Sequence, residues 1–286
     1  MAPRVWLITG CSSGFGHELT LQALKRGDKV IATSRNISGL TALKDAGAAT
    51  LELDPSSSLA TIKQFAEKAY ATYGRIDVLV NNAGFATDGA VEETTEEETI
   101  SIFTANVFAP LNIVRAFAPY LRAQKSGVIA NISSIAGDAG SPGLALYCGT
   151  KSAISGISES MTHELAPFGI KVTCVVPGYF RSKFLNAGHR NSARNLIKEY
   201  DGTAAHEYMD MLSQVNNRQL GSVVKGSEAI IDVLTQSGRA AGRDIPIRFV
   251  LGDDAQGYVK EKFEERIALV KEWEGVGTGV SHDDVQ

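Results

Sequence analysis

The sequence lacks the features that mark disulfide-rich, zinc-binding or nucleic-acid-binding chains. Its three cysteines, Cys11, Cys148 and Cys174, are odd in number and form no C-x-x-C pair, so they indicate neither a disulfide framework nor a metal site. The five histidines are scattered without ligand spacing. With a net charge of -4 and no block of lysine or arginine, the chain offers no surface suited to nucleic acid.

A long hydrophobic run is also missing at the N-terminus. The apolar segment after Arg4 is too short for a signal peptide or a membrane span. We therefore expect a cytoplasmic protein with reduced thiols and no membrane partner. The length of 286 residues allows one large α/β domain or two small ones.

A glycine-rich turn stands between the first apolar run, residues 5–9, and the first helical pattern, residues 18–25. Gly10 suits a tight turn, Gly14 lets backbone approach a pyrophosphate, and Gly16 lets the helix pack closely. The N–H groups at the start of that helix then face the phosphates. This order of strand, turn and helix predicts a dinucleotide site, to which we also assign Ser12, Ser13 and Phe15.

The second predicted strand, residues 29–33, ends in Ser34 and Arg35. An NAD-specific site would carry an acidic residue here for the ribose 2′-hydroxyl, but residues 32–42 contain none. A guanidinium suits a 2′-phosphate instead. The tip therefore predicts NADP(H) over NAD(H), the alternative being an ordinary surface arginine.

Further strands continue the alternation of strand and helix. Residues 51–54 end in Asp54, which either meets an adenine amino group or caps a helix beginning near Ser57. Residues 76–80, 128–132 and 172–176 also read as strands, and residues 245–250 as an edge strand that tolerates a proline. The rhythm predicts an α/β fold with a doubly wound parallel sheet and helices on both faces. The strand of residues 76–80 leads into three small residues that let a loop pass beneath a cofactor, Asn82, Ala83 and Gly84.

A helix predicted over residues 96–122 contains a proline that interrupts its hydrogen bonding. Pro110 has no N–H, so the carbonyl of Asn106 loses its intrahelical donor and we expect a kink there. The freed carbonyl offers a seat for a water that connects Lys151 to solvent, the alternative being a kink without chemistry. The acidic cluster of residues 92–98 before this helix predicts a solvated start capped by Thr95.

Tyr147 and Lys151 are spaced to share one face of a helix. An ammonium close to a phenol favours the ionised form, so Lys151 is expected to lower the pKa of Tyr147 for acid/base work. The strand of residues 128–132 delivers Ser133 and Ser134 at its carboxyl end, where such sheets bind ligands. A hydroxyl there can bond a substrate carbonyl.

Together these motifs resemble the short-chain dehydrogenase/reductase family over residues 4–182. The resemblance implies a single Rossmann domain, with Tyr147 as general acid/base, Lys151 as its modulator and ribose ligand, Ser134 as carbonyl anchor and Asn106 as holder of a relay water. It points to the NADP-preferring branch. The resemblance rests on the glycine turn, Asp54, Asn81 to Gly84, Asn106, Ser134, Tyr147, Lys151, and the pair Pro177 and Gly178, with Ser182 near the nicotinamide carboxamide. Two positions depart from the pattern: Ser13 replaces the basic residue of other NADP members, and Ser182 replaces the usual threonine.

Residues 179–226 predict a lid over the substrate, with helical parts and no clean strand. Their charges are of mixed sign, which argues against a strongly anionic substrate. Residues 253–273 predict a final amphipathic helix, and residues 275–286 a frayed tail. We expect at least half of the lid's large apolar residues to pack rather than line a pocket: Tyr179, Phe180, Phe184, Leu185, Tyr208, Met209, Met211 and Leu212.

We conclude from the sequence that the chain is an NADP(H)-dependent oxidoreductase acting on a hydrophobic ketone, aldehyde or alcohol. The alternatives are an NAD-dependent alcohol or hydroxysteroid-type dehydrogenase, a non-catalytic nucleotide sensor, and a nucleotide-sugar epimerase or dehydratase. We also expect a homodimer, since two helices carry more apolar residues than one sheet face covers: Ile102, Phe103, Phe108, Ile113, Val114, Phe117, Ile154, Ile157, Met161 and Leu165.

Overall fold

A seven-stranded parallel sheet, with two short strand pairs beside it, forms the frame of the protein. The computed structural model describes residues 2–282. Its strands are β1 Val5–Ile8, β2 Lys29–Ser34, β3 Ala49–Glu52, β4 Val78–Asn81, β5 Ala86–Asp88, β6 Gly127–Ile132, β7 Ile170–Pro177, β8 Phe180–Arg181, β9 Arg190–Ser192, β10 Gly221–Ser222 and β11 Arg248–Leu251.

The large sheet has the strand order β11-β7-β6-β4-β1-β2-β3, and every neighbouring pair in it is parallel. The chain winds outward from β1 to β3 and then returns to β4 on the other side of β1. The direction of winding therefore reverses between β1 and β4, and ligands of such sheets bind at the carboxyl ends beside this point. The predicted doubly wound, single-domain fold is confirmed, with β11 at the sheet edge as expected.

Helices cover both faces of this sheet. They are α1 Gly14–Lys25, α2 Thr41–Asp45, α3 Leu59–Tyr73, α4 Glu96–Phe103, α5 Ala109–Gln124, α6 Ala145–Leu165, α7 Ala204–Val215, α8 Val223–Thr235, α9 Asp253–Glu272 and α10 Glu274–Gly277. Side chains of β1 alternate between the faces: Leu7 packs with α3, α5 and α6, whereas Trp6 and Ile8 pack with α1, α2 and α8. The two apolar cores therefore follow from the period of two along each strand.

The interruption of the long helix is a π-helical turn over Thr104–Phe108, between α4 and α5. The N–H of Ala109 donates to the carbonyl of Thr104, five residues earlier. We predicted a kink at Asn106, and the structure instead widens one turn, which lets Pro110 enter the helix without a donor. By length and composition alone the stretch Glu96–Gln124 would suffice to cross a bilayer, yet half of its most apolar window is buried inside the protein. Packing in the core accounts for the apolar residues in that half.

Four strands, β3, β4, β7 and β11, have a boundary that differs from the prediction by two or more residues; β7 begins at Ile170, two residues earlier than predicted. Strand β4 begins at Val78 because the side chain of Gln124 bonds both the N–H and the carbonyl of Ile76, at 3.1 and 2.7 Å, and takes that residue out of the ladder. Strand β11 begins two residues after Pro246, which has no N–H to offer a neighbouring strand. Strand β3 lies two residues earlier than predicted, so Asp54 follows it at a distance of two residues.

The lid does contain strands, contrary to the prediction. Strand β8 pairs with β10, and β9 pairs with β5 outside the lid. Each pair is two or three residues long, which is too short for a periodic pattern to stand out in the sequence. Helix α8 begins at Val223, within the range predicted for the lid.

Two buried acidic residues fasten the lid to the body of the domain. Glu93 has no exposed surface and accepts hydrogen bonds from the N–H of Ile197, at 2.8 Å, and from Nε2 of His206, at 2.8 Å. Asp88, equally buried, pairs with Arg190. The acidic cluster was predicted to be a solvated helix start. This is right for the capping box of α4 but wrong for Glu93.

The C-terminal segment is mostly exposed. Helix α9 buries only Ala255 and Val259, so its amphipathic pattern serves a narrow contact. The frayed tail predicted from residue 275 is wrong for its first residues, since α10 extends to Gly277. The last four residues of that predicted tail, 283–286, lie outside the described residues.

Candidate active site

The glycine turn after β1 is held too tightly for any side chain at two of its three positions. A Cβ at Gly10, where φ is +70°, would lie 2.9 Å from Cα of Ala83. A Cβ at Gly16 would lie 2.5 Å from the carbonyl oxygen of Gly10. At Gly14, where φ is +58°, only Cβ of Ser182 comes near, at 3.7 Å. The turn therefore presents bare backbone towards the space above it, as a phosphate cradle requires.

Asn82 and Thr9 fix this turn to the end of β4. The Asn82 side chain donates to the carbonyls of Thr9, at 2.9 Å, and Gly10, at 3.1 Å. The Thr9 hydroxyl accepts from the N–H groups of Asn82 and Ala83, each at 3.0 Å. The small residues that follow β4 thus support the glycine turn directly, through the side-chain amide of Asn82 and the main-chain N–H groups of Asn82 and Ala83.

One cavity brings most of the predicted site together at the carboxyl ends of the strands. The predicted residues that line it are Gly10, Ser12, Ser13, Gly14, Phe15, Asn82, Ala83, Gly84, Ser134, Tyr147, Lys151, Pro177, Gly178 and Ser182. Those outside its lining are Gly16, Ser34, Arg35, Asp54 and Asn106.

Arg35 lies on the surface beside the glycine turn. It is exposed at the end of β2, and the loop that follows it brings Gly39 close to Ser12, where a Cβ on Gly39 would lie 3.5 Å from Cβ of Ser12. Its positive charge contributes to lowering the pKa of His189, after burial of that imidazole. Arg35 is therefore within electrostatic reach of the cavity mouth, where His189 stands.

Asp54 does not cap the next helix. Its carboxylate accepts from the N–H and the hydroxyl of Ser56, at 3.0 and 2.7 Å, and is exposed. Ser58 caps α3 instead, accepting from the N–H of Thr61 at 3.2 Å. The capping alternative is therefore wrong, and the adenine contact stays a prediction.

Tyr147 and Lys151 stand one turn apart on α6, with 8% and 6% of their surface exposed. Nζ of Lys151 lies 5.7 Å from the centre of the Tyr147 ring and donates to the carbonyl of Ile132 at 2.9 Å. Burial lowers the pKa of Lys151 to about 8. Burial also raises the pKa of Tyr147, and a hydrogen bond from Ser134 only partly opposes this.

The expected lowering of the Tyr147 pKa by Lys151 is thus not found in this structure. Both groups are removed from water, which penalises the charged form of each. The ammonium is also directed at a carbonyl and lies beside the ring. Desolvation therefore outweighs the attraction between the two groups.

The two serines after β6 have different surroundings. The Ser133 hydroxyl is buried and donates to the carbonyl of Lys151 at 3.0 Å, with Oγ of Ser155 2.8 Å away. The Ser134 hydroxyl accepts from the N–H of Ala136 at 3.1 Å and lies beside the hydroxyl of Tyr147. Of the two serines, only Ser134 therefore has its hydroxyl next to that of Tyr147, whereas the Ser133 hydroxyl is bonded to α6.

Asn106 is buried and holds other parts of the site in place. Its side chain accepts from the N–H of Phe85 at 3.1 Å and donates to the carbonyl of Phe85 at 2.8 Å and to Oγ1 of Thr150 at 3.1 Å. Both amide hydrogens are used, so the side chain ties the segment after β4 to α6. The water that we expected at the main-chain carbonyl of Asn106 stays a prediction.

The lid closes the other side of the cavity. Phe180 packs on Phe15 with 4.9 Å between ring centres, and Nε2 of His189 lies 3.5 Å from Oγ of Ser13. Six of the eight large apolar residues that we singled out in the lid line the cavity, all but Met209 and Met211. The expectation that half or more only pack is therefore wrong.

Several residues in and around this cavity were not predicted from the sequence. Ser141, His189, Gln219 and Tyr258 line it. Asp254, at the start of α9, accepts from the N–H of Tyr179 at 2.7 Å and fills the space beside Gly178. An acidic first turn of a helix is common, so Asp254 carried no sequence signal for this contact.

Comparison with known proteins agrees with this geometry. The sequence profile described as short chain dehydrogenase matches residues 4–193, two thirds of the chain. The chain belongs to the short-chain dehydrogenase family. It is 32% identical over 277 residues to the oxidoreductase BOA17 of Botryotinia fuckeliana. The aligned region covers 94% of this chain and 96% of that protein.

Solved structures give the same assignment. A short-chain dehydrogenase of Streptomyces avermitilis superposes with a TM-score of 0.88 at 36% identity, over 98% of this chain and 100% of that one. A metagenomic short-chain oxidoreductase in complex with NADP superposes with a TM-score of 0.58 at 34% identity, over 61% and 82% of the two chains. As a short-chain dehydrogenase, the chain is an oxidoreductase.

Replacing the buried lysine should remove a pH dependence of stability. Between the folded pKa of about 8 and the unfolded value of 10.5, the unfolded chain holds one more proton, so the free energy of unfolding rises with pH. The difference in this free energy between wild type and Lys151→Met should increase by about 2 kcal/mol from about pH 7 to about pH 10. Urea unfolding without cofactor measures it. Taking the difference between wild type and variant cancels the contribution of the buried thiols. For the exposed control Lys63→Met this difference should not rise with pH. A difference for Lys151→Met that stays constant over this pH range would contradict the prediction.

Proposed function

We propose that the protein is an NADP(H)-dependent oxidoreductase that interconverts a mostly hydrophobic ketone or aldehyde with the corresponding alcohol. The observation that carries this proposal is that the glycine turn, Ser134, Tyr147 and Lys151 line one cavity. A phosphate cradle and an acid/base pair in a single enclosed space are what hydride transfer to a carbonyl requires. The open Cβ position at Gly14 and the turn's bare backbone fit a pyrophosphate.

A nicotinamide dinucleotide supplies or accepts a hydride when bound. Several residues are suited to hold it. The backbone of Gly14 and its neighbours suits the pyrophosphate, and Arg35 suits a 2′-phosphate. Lys151 suits the ribose hydroxyls, and Ser182, next to Gly14, suits the carboxamide.

The chain's own groups then manage the proton. The Tyr147 hydroxyl holds a proton within the cavity and gives it to, or takes it from, the substrate oxygen. Its raised pKa keeps it protonated at neutral pH in the absence of ligand. The Ser134 hydroxyl donates to the same substrate oxygen, and Lys151 holds positive charge beside the Tyr147 ring at pH values below about 8.

The preference for NADP(H) rests on Arg35. It is exposed beside the glycine turn, and within residues 2–282 it forms no ion pair that would compete for its guanidinium. A planar guanidinium binds phosphate oxygens in pairs. The metagenomic relative that holds NADP supports the same choice.

The proposed substrate follows from the walls of the cavity. Leu144, Phe184, Leu185 and Leu212 make much of its surface apolar. Arg190, a charged residue of the lid at this wall, is already paired with Asp88. A neutral and mainly apolar carbonyl compound suits such a lining.

We also propose a homodimer in the cytoplasm. Six of the ten apolar residues that suggested a dimer are buried within one chain, which weakens the original reasoning. Ile100 and Phe108, near the join of α4 and α5, are 56% and 51% exposed and remain as a basis for it.

Removing the proton donor should stop turnover without preventing cofactor binding. Tyr147→Phe deletes only the hydroxyl, and proton transfer by a positioned group contributes roughly 100- to 10,000-fold to a rate. We expect carbonyl reduction to fall by at least about 100-fold while the NADPH dissociation constant, measured by fluorescence, stays within a few-fold. The matched control Tyr120→Phe, whose ring stacks on Tyr70 away from the cavity, should keep its rate. Activity of Tyr147→Phe at one-tenth of wild type would exclude Tyr147 as the acid.

Reversing the charge at residue 35 should change the cofactor preference. In Arg35→Asp a carboxylate would repel the 2′-phosphate, so the Michaelis constant for NADPH should rise strongly and NADH should be relatively favoured. Initial rates with both cofactors measure the ratio of kcat/KM values. Arg243→Asp makes the same charge change at an exposed distant site and should leave this ratio as in wild type. A wild type that already prefers NADH would disprove the role of Arg35.

The dimer is tested by light scattering at micromolar concentration. We expect a mass twice the 30.5 kDa of one chain. Phe108→Glu places a charge on the exposed apolar patch and should shift this mass towards the monomer, because a buried unpaired carboxylate is costly. A wild-type monomer at that concentration would refute the proposal.

A further inference from the structure

A pair of tyrosines stands in the lid side of the cavity with its hydroxyl groups in contact. Oη of Tyr179, just after β7, lies 2.9 Å from Oη of Tyr208, on α7. Both residues line the cavity. Each phenol has one hydrogen to donate, and a single hydrogen bond between the two uses one of them. The other hydroxyl hydrogen finds no acceptor among residues 2–282, so the pair keeps one donor for a ligand.

The pair faces an apolar space that it shares with Tyr147. Tyr179 and Tyr208 pack in the same cluster as Leu144, Tyr147 and Leu212. The ring of Phe184 lies 5.8 Å from the ring of Tyr147, within this cluster. The proposed acid and the tyrosine pair are therefore two polar groups in one apolar chamber.

The charged groups around the chamber are already engaged or kept neutral. Arg190 is paired with Asp88 and also donates to the carbonyl of Met209 at 2.8 Å. Nζ of Lys151 donates to Ile132. Burial, together with nearby positive charge, lowers the pKa of His189 and favours its neutral form. Among residues 2–282 no lysine or arginine bonds to, or stacks on, either tyrosine of the pair, so a neutral oxygen suits their donor better than an anion.

We propose that Tyr179 and Tyr208 form a second oxygen-binding subsite, and that the substrate is an apolar carbonyl compound carrying another neutral oxygen, as a hydroxyl, ether or carbonyl group, away from the reacting one. This inference rests on the proposed function and narrows its substrate class. Tyr258, which lines the same cavity from α9, adds a further phenol near the pair. Both tyrosines are half-buried, so a bound ligand covers them, and a ligand without the second oxygen then leaves the donor unsatisfied, which costs affinity.

The test compares α-tetralone with its hydroxy and methoxy derivatives, one for each open position of the aromatic ring, as substrates with NADPH. The ratio of kcat/KM between a derivative and the parent is measured within each protein, so damage common to all substrates cancels. In wild type we expect at least one derivative to exceed the parent by roughly three- to tenfold. In the single variant that removes the phenol in contact with the ligand, Tyr179→Phe or Tyr208→Phe, that ratio should fall towards one, and the double variant should lose no more than this single variant, because the second phenol acts only through the first.

Tyr120→Phe serves as the matched control and should keep the wild-type ratio. The subsite is overturned if no derivative exceeds the parent, if the advantage survives in both single variants, or if a carboxy-substituted tetralone shows the largest gain. In each of these cases the parent ketone is still reduced, and the proposed function stands. If neither parent nor derivatives are reduced, the proposed function fails for cyclic ketones, and the subsite fails with it.

Discussion

A row of buried hydrogen bonds between α6 and the end of β6 is the constraint on which the site depends. Along this contact the side chain of Asn131 donates to Oγ of Ser158 at 2.9 Å, and the hydroxyl of Ser133 donates to the carbonyl of Lys151 at 3.0 Å. Nζ of Lys151 returns to the carbonyl of Ile132 at 2.9 Å. Small polar side chains let α6 approach β6 closely, and each hydrogen bond helps to fix the position of α6 along the strand. Tyr147 is thereby held beside Ser134, although thirteen residues separate them in the chain.

The same close packing explains why the two titrating groups resist charge. Both lie against the sheet beneath the lid, where water is scarce, and the loss of solvation opposes a phenolate as much as an ammonium. The sequence spacing of Tyr147 and Lys151 correctly indicated that they share a helix face, but spacing carries no information on solvation. The balance between attraction and desolvation is set by what covers the pair, and most of that cover comes from residues far along the chain, such as Phe184.

The fold itself was predictable because its signals are local. Apolar runs of a few residues and the glycine turn each act over less than a helix length, and their alternation with helical patterns predicts a doubly wound parallel sheet. Boundaries failed where a distant side chain intervened. Gln124 removes Ile76 from β4, and His206 draws Glu93 into the interior, yet neither partner is near in sequence. The π turn at Thr104–Phe108 is an intermediate case. Pro110 predicted that the helix is interrupted, but it did not indicate a π turn instead of a kink.

The two halves of the cavity differ in how far the sequence reveals them. The proposed cofactor side is built by turns that directly follow strands of one parallel sheet, so each residue's place follows from its strand. The proposed substrate side is assembled from β7, the lid and α9. Contacts that help to hold them together are those of Asp254 with the N–H of Tyr179 and of Arg190 with Asp88 on β5. Residues such as Tyr208 and Tyr258 are recognised as cavity residues only once the structure places them on the same wall. Substrate choice on this fold is therefore a property of long-range contacts, which can change without disturbing the turns that support the chemistry.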